Sequence, residues 1–169
     1  MSKVIIIVGG KGTGKTTKVK ELISKVNPKA LLLNDVNNEY SDIMKTQYFE
    51  IKDFTNLVYN AKGAVAIFEE ATIFFSNRGG QTEKMKSILV RSRHTKNFII
   101  LVFHSLRSVP KDIFDLINLM IIFKTNDNIS IIEKKFEMPE LVECVQRIKA
   151  NPNKHYNEAF EPQGNFTHD

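Results

Sequence analysis

A chain of 169 residues suits one domain with a single sizeable core. Its apolar share of 42% and charged share of 25% are those of an ordinary globular protein, which excludes a disordered or low-complexity chain, and no repeat is visible. A net charge of +5 favours an anionic partner such as nucleotide or nucleic acid, and one cysteine excludes an intrachain disulfide.

The chain begins "MSKVIIIVGG". Lys3–Val8 reads as a strand buried on both faces. The run is too short for a signal-peptide core, and no stretch approaches the roughly 20 apolar residues that span a bilayer. A cytoplasmic protein is expected. Next comes "GGKGTGKT", which fits G-x-x-x-x-G-K-[ST] with Gly9, Gly14, Lys15 and Thr16 at the fixed places. Gly10, Lys11, Gly12, Thr13, Gly14, Lys15, Thr16 and Thr17 are the expected nucleotide contacts. Glycines let backbone N–H groups form a concave nest for phosphate oxygens, and a helix opening at Lys15 adds its positive end. Lys15 is expected to reach the β- and γ-phosphates, and the Thr16 hydroxyl to bind Mg²⁺. The implied ligands are ATP and Mg²⁺.

A helix over Lys15–Val26 carries Val19, Leu22, Ile23 and Val26 on one face and stops at Asn27–Lys29. Ala30–Asn34 reads as a second strand, Gln47–Ile51 as a short edge strand and Phe54–Ala61 as a helix. Ala64–Phe68 is a third buried strand, and Glu69 and Glu70 follow it directly. A phosphate-loop enzyme needs an acid there to hold Mg²⁺ through its water shell, and a second one to polarise the attacking water. Glu69 takes the first role and Glu70 the second. A basic helix over Gln81–Arg91 leads to a core strand at Phe98–Phe103, with His104 at its tip as a sensor of the γ-phosphate or its water.

Val109–Ile117 reads as a short helix with Pro110 near its first turn, and Leu119–Phe123 as a fifth strand. Asn128–Phe136 reads as a strand. Met138–Ala150 reads as an amphipathic helix, with Cys144 buried and inert among its apolar residues. Residues 151–169 read as a mobile polar tail, or an arm packing on a neighbouring molecule through Tyr156, Phe160 and Phe166, outside a domain of residues 1–150. The predicted fold is α/β. It is a three-layer P-loop NTPase with a mainly parallel central sheet, of the additional-strand, catalytic-glutamate (ASCE) type with RecA-like strand order. A short C-terminal strand and helix close it.

Three further segments carry a family resemblance: "DVNNEYSD" (Asp35–Asp42), "IFEEATIFF", and "SRHTKNFIILVFHSLRSVPKDIFDLINLMIIFK". With the phosphate loop, their order and spacing over roughly residues 3 to 125 resemble the FtsK–HerA superfamily of hexameric DNA-pumping ATPases. The likeness is strongest to the packaging ATPases of membrane-containing phages and large DNA viruses. Some likeness extends to the zonula occludens toxin-like ATPases of filamentous phages. The family usually has aspartate where Glu69 stands and glutamine where His104 stands.

The resemblance implies an ATP-hydrolysing translocase of double-stranded DNA that packages a viral genome, in the host cytoplasm or on the virion. It implies a homo-oligomeric, hexamer-like ring meeting capsid or portal-vertex proteins. Arg91 or Arg93 would complete a neighbouring subunit's site as an arginine finger. Lys84, Lys86, Lys96, Arg107 and Arg78 would face DNA in the pore. Two rival readings are a nucleotide or small-molecule kinase and a non-hydrolytic ATP-binding assembly module. Kinases of this kind carry a basic lid after the fourth strand, whereas here the arginine-rich segment precedes it.

Overall fold

Six strands form one sheet in the order β2-β3-β4-β1-β5-β6 in a computed structural model that describes residues 2–43, 49–75 and 80–162. The strands are β1 (Lys3–Val8), β2 (Leu31–Leu33), β3 (Val65–Phe68), β4 (Phe98–Phe103), β5 (Leu119–Phe123) and β6 (Asn157–Phe160). The first five run parallel, and β6 pairs antiparallel with β5. Strand β4 lies between the strand that leads into the phosphate loop and the strand that leads into the acidic pair. This is the additional-strand order expected from the sequence.

Alternation along β1 divides the core. Val4, Ile6 and Val8 face one side, with α2 (Ile51–Asn60), α3 (Gln81–Thr95), α4 (Ile129–Phe136) and α5 (Pro139–Ala150). Ile5 and Ile7 face the other, with Val19 and Ile23 of α1 (Lys15–Val26) and Tyr40 of the segment after β2. Helices on both faces explain why the strands read as continuous apolar runs.

Four local readings change. The stretch expected as a strand over Asn128–Phe136 is helix α4. The Asn128 side chain accepts from the Ser130 N–H at 3.0 Å and caps it. Ile132 and Phe136, four apart, are buried while Ile131 is 47% exposed, a helical rather than an alternating pattern. Of the edge strand expected over Gln47–Ile51, Gln47 and Tyr48 lie outside the described residues. Phe49 bonds to a side chain instead of a strand: its N–H donates to Asn34 Oδ1 at 3.0 Å and its carbonyl accepts from Asn34 Nδ2 at 3.3 Å. Ile51 then opens α2. Third, the segment after Asn151 supplies β6, with Tyr156 and Phe160 packed against the larger core cluster. The C-terminal strand therefore follows the last helix instead of preceding it. Phe166 lies outside the described residues. The helix expected over Val109–Ile117 is a 3₁₀ turn over Lys111–Leu116 with Pro110 just ahead of it.

The parallel register aligns the carboxyl ends of the central strands. Val8 lies level with Phe103, and Phe68 with Leu101. Gly9, Glu69 and His104, the residues that follow three of these strands, therefore emerge together at what is called here the upper edge of the sheet.

Candidate active site

The phosphate loop is seated on two neighbouring strands. The Gly9 N–H donates to Phe103 O at 3.2 Å, and the Gly10 N–H to Lys124 O at 2.9 Å. A side chain at position 9 has no room, because its Cβ would lie 2.5 Å from Phe123 Cβ. Gly14 sits at φ +104°, a conformation that favours glycine, and precedes α1 without a capping side chain. The first N–H groups of α1 are thus left for an anion. Inside the loop, Thr13 Oγ1 donates to Gly10 O at 2.9 Å and Lys15 Nζ to the same oxygen at 3.0 Å. Lys15 is 6% exposed. Burial pulls its ammonium below the ordinary lysine range, and the charges of Glu69, Glu39 and Glu70 oppose that pull. Lys11, Gly12 and Thr17 are exposed on the crest.

The turn after β2 supplies the parts that sequence reasoning left without a role. Both oxygens of the buried Asp35 carboxylate are occupied, one by the Glu39 N–H at 2.9 Å and the other by the Tyr40 N–H at 3.0 Å. Asn38, at φ +57°, lets the chain turn back. The turn presents Glu39 to the loop, where it accepts the Thr16 hydroxyl. It also presents Tyr40 to Glu69, whose Oε2 accepts the phenol at 2.6 Å. Glu69 is 3% exposed, and burial raises its carboxyl above the ordinary range, with the Tyr40 hydrogen bond opposing. The Tyr40 phenol is itself pushed far up by burial and by the Glu69 charge. The only sequence signal for these roles was "DVNNEY" itself, an aspartate four and five residues ahead of the groups it orients.

Glu70 turns away from Glu69. It adopts φ +57°, a strained value for a residue with a Cβ, and its Oε2 lies 2.8 Å from His104 Nε2. The second acid and the sensor-strand histidine therefore form a couple at the mouth of the site. A cavity of about 380 Å³ joins Lys15, Thr16, Glu39, Glu69 and His104.

The Thr16 hydroxyl and the Glu39 and Glu69 carboxylates are hard oxygen donors, the set that suits Mg²⁺. Among the described residues no cluster of three or more His, Cys, Asp or Glu could hold a metal.

The arginines are elsewhere. Helix α3 leads into the amino end of β4, so Arg91 and Arg93 stand at the lower edge, opposite the loop of their own chain. Arg91 stacks over the Tyr59 ring, 4.1 Å from its centroid, whereas Arg93 is exposed. Lys84 bonds to Asn56 and lies over the same ring. Lys86 pairs with Asp112 at 2.5 Å. Lys96 is exposed at the lower edge and Arg107 at the upper. Arg78 lies outside the described residues.

By sequence, no family model and no curated protein matches the chain. By fold, the chain is similar to the DNA-packaging ATPase B204 from Sulfolobus turreted icosahedral virus. That match has a TM-score of 0.74 at 17% identity, over 95% of this chain and 93% of that one. It is also similar to the genome packaging NTPase B204 from Sulfolobus turreted icosahedral virus 2 in complex with AMP, with TM-score 0.73, 19% identity and coverage of 96% and 93%. The N-terminal domain of zonular occludens toxin from Neisseria meningitidis matches with TM-score 0.55 at 14% identity, over 75% of this chain and 78% of that one. At these identities the likeness is one of fold. No helix among the described residues is long and apolar enough to cross a membrane.

Proposed function

We propose that this chain is an Mg²⁺-dependent ATPase that drives double-stranded DNA into a viral capsid as one subunit of a homo-oligomeric ring. The observation that carries the ATPase is the meeting, at one sheet edge, of a phosphate loop, an exposed Glu39 carboxylate that accepts from Thr16, a buried Glu69 held by Tyr40 and an exposed Glu70–His104 couple. The fold likeness to two viral packaging enzymes supports the DNA substrate.

The loop N–H groups and Lys15 bind the phosphates. Thr16, Glu39 and Glu69 would hold Mg²⁺, which neutralises charge on the β- and γ-oxygens when bound. Glu70 accepts the proton of the attacking water, and His104 fixes the direction of its carboxylate. The two departures from the family pattern have a physical account. Glu69 is longer than aspartate and is held back by Tyr40. His104 takes the sensor position by pairing with the base itself. Because Arg91 and Arg93 lie at the far edge of the sheet, either serves only a neighbouring subunit's site. Arg93 is the more available, since Arg91 is stacked on Tyr59.

The test is ATP turnover against protein concentration, with and without double-stranded DNA, beside Glu70→Gln. Turnover is expected to rise with both and to fall about 10²- to 10⁴-fold in the variant, with ATP affinity kept. Tight binding without turnover in every condition would favour the assembly module. Phosphate transfer to a nucleoside monophosphate would favour the kinase.

A further inference from the structure

Beside the phosphate loop lies a second cavity, of about 360 Å³, that the phosphate chemistry does not use. Gly14 of the loop, Thr17, Lys18 and Glu21 of α1, Phe123 of β5, and His155 and Asn157 of the C-terminal segment line it. Gly14, Thr17 and His155 line the phosphate cavity as well, so the two spaces adjoin. Its volume falls within the range of about 300–1,000 Å³ usual for small-molecule sites.

Its position relative to the reacting end is informative. A triphosphate with its terminal groups at Lys15 has its α-phosphate at the first turn of α1. The nucleoside must then leave on the side away from Glu69 and His104. Thr17 and Lys18 are on that side, and the cavity begins there.

The far wall is a built segment of the chain. Lys124 Nζ donates to Asn151 O at 2.7 Å. Asn151 Oδ1 accepts the Asn153 N–H, and Asn153 Oδ1 the His155 N–H, both at 2.9 Å. Beyond them, Arg147 clamps Glu158 of β6 at 2.7 Å. These bonds bring His155 Nδ1 to 3.2 Å from Thr13 O and leave the ring exposed. The Lys154 ammonium stands 3.1 Å from the point where a Cβ on Gly12 would lie, above the crest of the loop.

We infer that residues 154–157 complete the nucleotide site from the C-terminal side of the fold, and that the cavity takes the nucleoside half of a nucleoside triphosphate. His155 offers its ring face to the base, and Lys154 adds a second cation to the phosphates. The inference rests on the phosphate-loop reading.

Calorimetric binding of Mg-ATP and of Mg-tripolyphosphate, which lacks a nucleoside, separates the two. His155→Ala is expected to weaken ATP about tenfold and to leave tripolyphosphate unchanged. His155→Phe, which keeps a stacking face, is expected to restore most of the ATP affinity. Equal weakening of both ligands by His155→Ala would overturn the inference, because the ring would then only support the Thr13 carbonyl. No weakening of either would overturn it too, as would a wild-type protein that binds tripolyphosphate as tightly as ATP. A wild-type protein that binds neither ligand removes the phosphate-loop reading, and this inference with it.

Discussion

The two edges of the sheet solve the same problem in opposite ways. At both, backbone groups beyond the strand ends need partners out of reach of water. At the lower edge neutral amides supply them. Asn97, 2% exposed, accepts the Ala64 N–H and donates to Ala61 O, both at 3.0 Å, and Asn118 accepts the Val4 N–H at 2.7 Å. At the upper edge the buried polar groups include four ionisable ones, Lys15, Asp35, Glu69 and Asp127, beside the neutral Thr13, Asn34 and Thr125. Charges are costlier to bury than amides. An edge built for stability alone would resemble the lower one. The upper one holds unfavourable groups, which the proposed ligand would compensate.

The sharpest way to separate the edges is Lys15→Ala. On the proposed function it removes a cation that binds the phosphates, so ATP affinity should fall about 10- to 100-fold. The melting temperature should hold or rise, because a buried charge has gone. Calorimetry and thermal melts on one preparation read both quantities.

Asn97→Ala makes the complementary change. Two backbone groups lose their partners, and the fold should weaken by about 2 kcal/mol, or roughly 4–8 °C in melting temperature, with ATP affinity unchanged. A loss of affinity equal to that of Lys15→Ala would break the comparison.

The smallest effect concerns pH. The Glu69 carboxyl is raised from its ordinary value of 4.5 by burial. A folded acid that holds its proton more tightly than the unfolded chain makes stability fall as pH climbs from the unfolded value through the raised one. Glu69→Gln removes that slope. Variant and wild type should melt alike near about pH 4, and the variant should gain on the order of 1 kcal/mol by about pH 8. Parallel melting curves across that range would show that Tyr40 already offsets the burial.

How legible these edges were depended on how far each contact reaches along the chain. The phosphate loop is a local pattern, so its residues could be named in advance. Glu69, Glu70 and His104 were found by following buried strands to their ends. Glu39, Tyr40 and His155 act across loops, and no periodicity marks such residues. His155 lies 142 positions from the Thr13 carbonyl it meets, in a segment whose polar composition suggested a tail. The α4 error had a different origin. "NISII" has the β-branched composition of a strand, and the capping Asn128 outweighed it.

Strand order also bears on how the chain acquires its shape. β1 precedes the other strands of the sheet in the chain, yet it ends in the interior of the sheet. Lys3 waits for Phe98, and Ile5 for Leu119. Closing such long loops is entropically costly and comes late in folding. A nascent chain that stops short of Phe98 already carries every residue of the phosphate loop, but none of the neighbours that shape it, because Gly9 and Gly10 are tied to Phe103 and Lys124. Translated ahead of both of the strands it is tied to, the loop is one of the last parts of this sheet to take its shape.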